Sequence, residues 1–226
     1  MAVEKALVVG AGIGGLAAAA ALAARGVEVE VVEARPDSSV YGVGINQPAN
    51  SLRALKSLGV LERLMDVGSI YEEHVFKDRK GELIVSVDTL LGGPGIPPNL
   101  GLTRLDLHDA LIAAAADAGA SVRYGVKPVE VEEAGEKVEV ELSDGGSGSY
   151  DLVAAFDGIH SEMRPRLFGT DHEPVHTGHA VWRVTKPRVD EAERLILYQG
   201  VLAKAGHIPI SEELFYLLLV VPSEPG

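Results

Sequence analysis

Cysteine is absent from all 226 residues. That single absence removes disulfides, thiolate nucleophiles and Cys-ligated metals or clusters. Cations are scarce as well: twenty Lys and Arg face thirty-three Asp and Glu, giving a net charge of −13. Nucleic acid and anionic membrane both call for clustered positive charge, so neither is expected as a partner, and the acidity reads as a solubility feature. Long apolar runs are missing. Residues 17–24 and 214–221 are eight residues each, far below the roughly 20 that span a bilayer. The start of the chain places acidic Glu4 beside Lys5 and then enters a strand, which is not the pattern of a secretory signal. A cytoplasmic protein is expected. The seven histidines are read as scattered, and no metal site is expected.

What is present is ordinary for a globular chain, 46% hydrophobic and 23% charged, and long enough for one large domain or two small ones. The most informative stretch is residues 5–35, KALVVGAGIGGLAAAAALAARGVEVEVVEAR. An apolar strand over 6–9 meets Gly10-Ala11-Gly12-Ile13-Gly14-Gly15, which fits G-x-G-x-x-G at Gly10, Gly12 and Gly15. A helix rich in Ala and Leu runs to about Arg25, Gly26 ends it, and a second strand over 27–32 closes on Glu33. In this context Gly10 allows the tight turn, Gly12 lets backbone approach a pyrophosphate, and Gly15 lets helix and strand pack closely. The pyrophosphate is expected on the helix N-terminus, where unpaired N–H groups and the helix dipole favour negative charge. Glu33 is placed to accept hydrogen bonds from ribose hydroxyls. The G-x-G-x-x-G alone is weak; strand, loop, helix, strand and terminal acid in that order make a strong dinucleotide signal.

Further along, residues 36–39 read as a turn, and residues 41–48 (YGVGINQP) as too glycine-rich for a regular element, a loop that passes a cofactor or lies on the surface. Leu52, Leu55, Leu58, Leu61 and Leu64 recur at helical spacing, with Gly59 splitting the segment in two. Residues 71–87 alternate about a turn at Arg79-Lys80-Gly81 and predict an antiparallel excursion; residues 92–98 return the chain as a loop. A helix over 103–118 carries Leu107, Leu111 and Ala114 on one face and stops at Gly119. Residues 121–124 predict a third parallel strand, 129–131 and 138–142 a hairpin, 145–148 its further turn, and 150–156 an apolar strand entering Asp157-Gly158. Ser161 is a candidate cap for a short helix to Arg166. From residue 175 onward, 180–184, 195–198, 207–210 and 214–221 all read as strands.

With these pieces in order, the sequence resembles the flavin-dependent aromatic hydroxylases, the single-component monooxygenases of the para-hydroxybenzoate hydroxylase fold, including the salicylate and hydroxynicotinate hydroxylase-like branch. Four stretches carry the resemblance: Gly10 to Gly15 with Glu33 and Arg35; GVGIN at 42–46 leading to NSLRAL at 50–55; LTRLDLHDAL at 102–111, similar to the family's R-x-x-L-x-x-x-L; and DLVAAFDGIHSEMR at 151–164, close to its DG motif. The expected fold is α/β: a Rossmann-like FAD-binding domain with a parallel sheet over residues 1–70 and 101–171. Segments of an antiparallel-sheet substrate domain, 71–100 and 172–226, interrupt and follow it.

The resemblance implies FAD as cofactor, NAD(P)H as co-substrate, and O2 with a small phenol-like arene as the other reactants. In the family, NAD(P)H reduces FAD, oxygen adds as a C4a-hydroperoxide, and the arene attacks its terminal oxygen; the protein positions the ring and excludes water. Residue by residue, the cofactor contacts implied are Gly10, Gly12, Ile13, Gly14 and Gly15 at the pyrophosphate, Glu33 at the adenosine ribose with Ala34 and Arg35 beside it, Gly44 in the following loop, Arg104 at a phosphate or the ribityl chain, and Asp157 as the DG aspartate. Plainer readings stand beside three of these: Arg104 as a surface ion-pair former, Asp157 as a turn residue, Arg35 as an exposed arginine. His160 and His207 are read as structural, Trp182, Tyr198, Phe215 and Tyr216 as core or as an aromatic pocket, and no catalytic base is named. The sequence departs from the family at Ala155-Phe156, where Gly-Ala usually precedes the DG aspartate, and at Pro48, one position early. It also stops inside the expected substrate domain, without the family's second Gly-Asp motif, so a fragment or a two-chain assembly is expected. Another FAD- or NAD(P)-dependent oxidoreductase and a non-catalytic flavin-binding module are the alternatives. Oligomeric state is open, a homo-oligomer included.

Overall fold

In the computed structural model, residues 2–38, 43–89 and 93–225 are described. Ser39, Tyr41, Gly42 and Gly92 of the expected loops lie outside them. The chain opens with β1 (Lys5–Val9), α1 (Ile13–Ala23), β2 (Glu28–Glu33), β3 (Gly44–Pro48), α2 (Ala49–Ser57), α3 (Leu61–Val67) and β4 (Ser69–Ile70). It continues with β5 (Glu73–Asp78), β6 (Leu83–Asp88), β7 (Asn99–Thr103), α4 (Arg104–Asp117), β8 (Ser121–Tyr124), β9 (Pro128–Ala134), β10 (Lys137–Leu142), β11 (Ser147–Tyr150), β12 (Leu152–Ala155) and α5 (Met163–Phe168). A short 3-10 turn, Thr170–His172, leads to β13 (His179–Pro187), β14 (Leu195–Gln199), β15 (Lys204–Pro209) and β16 (Leu214–Pro222). Two compact units result, Met1–Val40 with His108–Pro174, and Tyr41–Leu107 with Val175–Gly226.

The first unit is built on a parallel sheet in the order β12-β1-β2-β8. β1 is buried over its last four residues, as a central strand covered on both faces must be. The small residues of α1 let it lie close on β1 and β2, with Leu16, Ala19, Ala20 and Ala23 inward. An antiparallel sheet, β11-β10-β9, supplies Val140, Leu142 and Tyr150 to a core shared with Leu7, Val9, Val32, Val126 and Met163. Tyr150 is buried, and its hydroxyl donates to Glu30 Oε2 at 2.7 Å. Burial pushes the Glu30 carboxyl up, but hydrogen bonds from Tyr150 and Arg123 outweigh it and hold the group below its ordinary value. Residues 147–150, partly expected as a turn, extend this sheet as β11, because Gly148 leaves room for the Tyr150 ring.

The second unit carries a six-stranded sheet, β13-β16-β15-β14-β5-β6, antiparallel except for the β14–β5 pair. A three-stranded sheet, β3-β7-β4, lies in the same unit. Residues 44–48, expected as loop, are therefore strand β3, paired antiparallel with β7. Packing explains this better than propensity: a Cβ on Gly44 would run into the Tyr216 ring, and one on Gly101 of β7 into the Pro209 carbonyl. Those two close approaches join β3 and β7 to β15 and β16, which is why residues 41–70 and 101–107 group with the later strands. Tyr71, Leu195, Ile208, Ile210 and Tyr216 form the core here. Phe215 and Tyr216 are buried, whereas Trp182 is 67% exposed and belongs to no core. The register pairs Trp182 with Leu219 and Val184 with Leu217, so all four stand on one exposed face of the sheet.

Candidate functional site

β1 delivers the chain into the glycine loop with its backbone already committed on both sides. Gly10 N–H donates to the Val32 carbonyl at 2.7 Å, and Phe156 N–H donates to that of Val9 at 2.7 Å. Gly10 then takes φ +105°, the left-handed region, and a Cβ there would lie 2.6 Å from the Phe156 carbonyl oxygen. Gly15 sits one turn into α1, and its Cβ would collide with the Gly10 carbonyl oxygen. Gly14 faces the Phe156 ring, 3.2 Å from where a Cβ would stand. Gly12 differs from all three. Its φ of −76° is open to any residue, it starts α1, and nothing among the described residues lies within 4 Å of its absent Cβ.

No side chain caps α1 and no acid occupies its first turn. Leu16 N–H returns to the Gly12 carbonyl at 2.9 Å, so the N–H groups ahead of it, Ile13 included, front the space beside Gly12. Two side chains fix this loop. The Glu33 carboxylate accepts from Ala11 N–H (Oε2, 2.9 Å) and from Arg35 N–H (Oε1, 2.9 Å). Each carboxylate oxygen keeps a second acceptor site for a ribose hydroxyl. At the other polar group of the same residue, His108 Nε2 lies 2.8 Å from the Ala11 carbonyl oxygen. The end of β2 is anchored through Val126 N–H to the Glu33 carbonyl at 3.0 Å and Gly125 N–H to that of Arg35 at 2.7 Å. Ala34 and Arg35 are exposed just past it.

Asp157 follows Phe156, with its backbone nitrogen 3.2 Å from the position of a Gly10 Cβ. Its carboxylate accepts from Met163 N–H at 3.0 Å, while Ser161 Oγ accepts from Arg164 N–H at 2.8 Å. The Arg164 guanidinium closes the loop on the carbonyls of Gly158 and Ile159, at 3.0 and 2.8 Å. Asp157 is thus both neighbour of the glycine turn and acceptor for the first N–H of α5, whose N-cap position is Glu162. Gly44 and Arg104 lie in the other compact unit. Gly44 is covered by the Tyr216 ring, and Arg104 is an exposed residue whose N–H donates to the Val43 carbonyl at 3.0 Å. Thr103 and Asp106 exchange hydrogen bonds that start α4.

This geometry suits a dinucleotide: an open approach at Gly12, an uncapped helix start, and an acid at the end of β2 with acceptor capacity left. Residues 4–196 match the family described as FAD binding domain. The chain belongs to that family. This FAD binding domain chain is 32% identical to YetM of Bacillus subtilis strain 168 over 218 residues, 96% of this chain and 59% of that protein. It is 30% identical to the FAD-dependent urate hydroxylase of Klebsiella pneumoniae over 229 residues, 98% of this chain and 59% of that one. Klebsiella pneumoniae HpxO, solved with FAD and uric acid, superposes with a TM-score of 0.85 at 28% identity, covering 99% of this chain and 57% of that one. The chain therefore spans about three fifths of the length of these relatives. Among the described residues, no helix is long and apolar enough to cross a membrane.

Two residues of the site were not singled out in sequence. In sequence Phe156 stands out only as a departure from the family, yet its carbonyl and ring define the room around Gly10 and Gly14. His108 interrupts the apolar stripe of α4 between Leu107 and Leu111, and a buried polar residue in such a stripe signals a partner. The histidines are not all scattered, although no H-x-x-x-H spacing is expected among them: His172-Glu173-Pro174-Val175-His176 matches H-E-x-x-H. Pro174 bars the helix that brings such histidines to one face. These residues are exposed, and no group of three His, Asp or Glu among the described residues is arranged to hold a metal ion.

Proposed function

We propose that the protein is an FAD-dependent monooxygenase that hydroxylates a small, phenol-like aromatic molecule with NAD(P)H and O2. The observation that carries the reading is the open, doubly anchored Gly12 turn ahead of α1, in a chain related over 98% of its length to an FAD-dependent urate hydroxylase. Bound FAD would supply the redox chemistry, taking electrons from NAD(P)H and passing them to oxygen. The chain's own residues bind and orient. N–H groups from Gly12 to Gly15 hold the pyrophosphate against the helix dipole. Glu33 accepts from the adenosine ribose, with Ala34 and Arg35 alongside. Arg104 serves the phosphate or ribityl end. Asp157, by accepting from the first N–H of α5, fixes the DG turn beside Gly10. In functional terms, residues 1–70 and 101–171 serve the flavin, and 71–100 and 172–226 serve the arene.

The test is FAD titration of the purified protein, followed by turnover with phenolic compounds under isotopically labelled O2. Saturable FAD binding and substrate-dependent NAD(P)H oxidation with one labelled oxygen in the product are expected. Flavin binding with NAD(P)H consumption but no labelled product would point instead to a different FAD-dependent oxidoreductase. A protein that takes up no FAD refutes the reading altogether.

A further inference from the structure

Helix α4 reaches the glycine loop through one side chain. His108 is 3% exposed, and its Nε2 lies 2.8 Å from the carbonyl oxygen of Ala11. A carbonyl can only accept, so Nε2 must carry the proton. Its other ring nitrogen, Nδ1, is buried with no hydrogen-bond partner among the described residues. Ala11 is itself 3% exposed, and its N–H is taken by Glu33 Oε2 at 2.9 Å. Both polar groups of this one residue are therefore held by side chains from two elements, the end of β2 and the first turns of α4. Ala11 separates Gly10, whose φ of +105° sets the turn, from Gly12, whose absent Cβ has nothing within 4 Å among the described residues. Gly12 tolerates a wide range of backbone angles, so the loop has no internal reason to keep one conformation.

We propose that His108, as the Nε2–H tautomer, is a positioning residue that holds the Gly10–Gly12 turn in its FAD-competent form. This rests on the FAD reading above. Without the imidazole donor, the Ala11 carbonyl is buried and unpaired, which favours other loop conformers. A ligand that binds only a fraction of the population loses affinity by that fraction. A net effect of one buried hydrogen bond corresponds to about tenfold in Kd.

The experiment compares wild type, His108→Leu and His108→Gln by FAD titration and by thermal unfolding without FAD, and records the ring nitrogen spectrum of His108 by NMR. The leucine variant should bind FAD about tenfold more weakly. The glutamine variant, whose amide can donate to the same carbonyl, should recover most of that loss even where its melting temperature does not recover. The NMR spectrum should show a proton on Nε2 only. Unchanged affinity in the leucine variant overturns the proposal. So does equal loss in both variants, or a proton on Nδ1 alone, which needs no variant to fold. If wild type takes up no FAD, the functional reading has failed, and the tautomer still decides whether His108 holds the loop.

Discussion

Gly12→Ala separates the ligand's demands from those of the fold. Gly12 has an ordinary φ of −76° and, among the described residues, nothing within 4 Å of its absent Cβ, so these residues leave room for a methyl group. Two small effects act on the free protein. Reduced freedom of the unfolded chain stabilises by about 0.4–1 kcal/mol. Alanine is a poorer start to a helix than glycine, and that costs a similar amount, about 0.5–1 kcal/mol. They offset, leaving stability within about 1 kcal/mol of wild type. For a chain of this size that is a shift in melting temperature of no more than about 4 °C. On the proposed placement the FAD complex should respond differently, because the methyl would occupy the open space through which the pyrophosphate would reach the helix N–H groups. Overpacking of this kind costs about 1–3 kcal/mol, or about 5- to 150-fold in Kd. Flavin fluorescence titration measures the second quantity and thermal unfolding of the FAD-free protein the first. Wild-type FAD affinity in Gly12→Ala would refute the placement of the pyrophosphate. The control is Gly15→Ala, whose Cβ meets the Gly10 carbonyl; there stability and binding should fall together.

Glu33→Ala should weaken FAD binding by about 1–3 kcal/mol, since the ribose loses a charged acceptor and Ala11 N–H its tie; an unchanged Kd by titration would place the ribose elsewhere. Asp151→Asn tests a carboxylate held down to about 2 by the Lys137 ammonium and then the N–H groups of Lys5 and Glu4. Because the folded value lies below the ordinary 3.8, the stabilisation is complete above that pH and disappears as pH falls toward 2. The gap in urea midpoint between wild type and variant should thus be steady from neutral pH to mildly acid pH and close near pH 2; a gap that persists there contradicts the linkage. Tyr150→Phe removes the donor to Glu30 Oε2. It should lower unfolding free energy by about 1–2 kcal/mol, the low end for a charge-assisted bond because Glu30 is partly exposed to water. A loss under about 0.5 kcal/mol by urea denaturation would count against that role.

Much of the fold was legible because the relevant signals are local. An apolar strand, glycines at fixed offsets and a small-residue helix announce β1, α1 and β2, and clean alternation announces β9 with β10. The strands from residue 179 onward follow the same period. What escaped was the β3-β7-β4 sheet, and β3 shows why. Its sequence, GINQP, contains glycine and proline, both depleted in strands. Its conformation is imposed by pairing with β7 and by the Tyr216 ring lying on Gly44, contacts with residues far along the chain. Trp182 shows the complementary limit. Period-two spacing says that Trp182 and Val184 share a face with each other, but not whether anything covers that face.

In the site, the motif treats its three glycines alike, and the structure does not. Gly10 and Gly15 are required by the protein against itself: each lacks a Cβ because backbone from Phe156 or Gly10 stands in its place. They would be glycine in a fold that bound nothing. Only Gly12 lacks such a neighbour, so only Gly12 is left for a ligand to explain. His108 was invisible for a related reason. Its partner is a backbone carbonyl 97 residues away, and a carbonyl leaves no mark in sequence. The polar interruption of an apolar helix stripe says that a partner exists, never which one. A substitution series that ranks Gly10, Gly12, Gly15 and His108 by the ratio of affinity lost to stability lost should therefore put Gly12 first, His108 next, and the two structural glycines last. A different order would mean that loop conformation, not room for the ligand, limits binding.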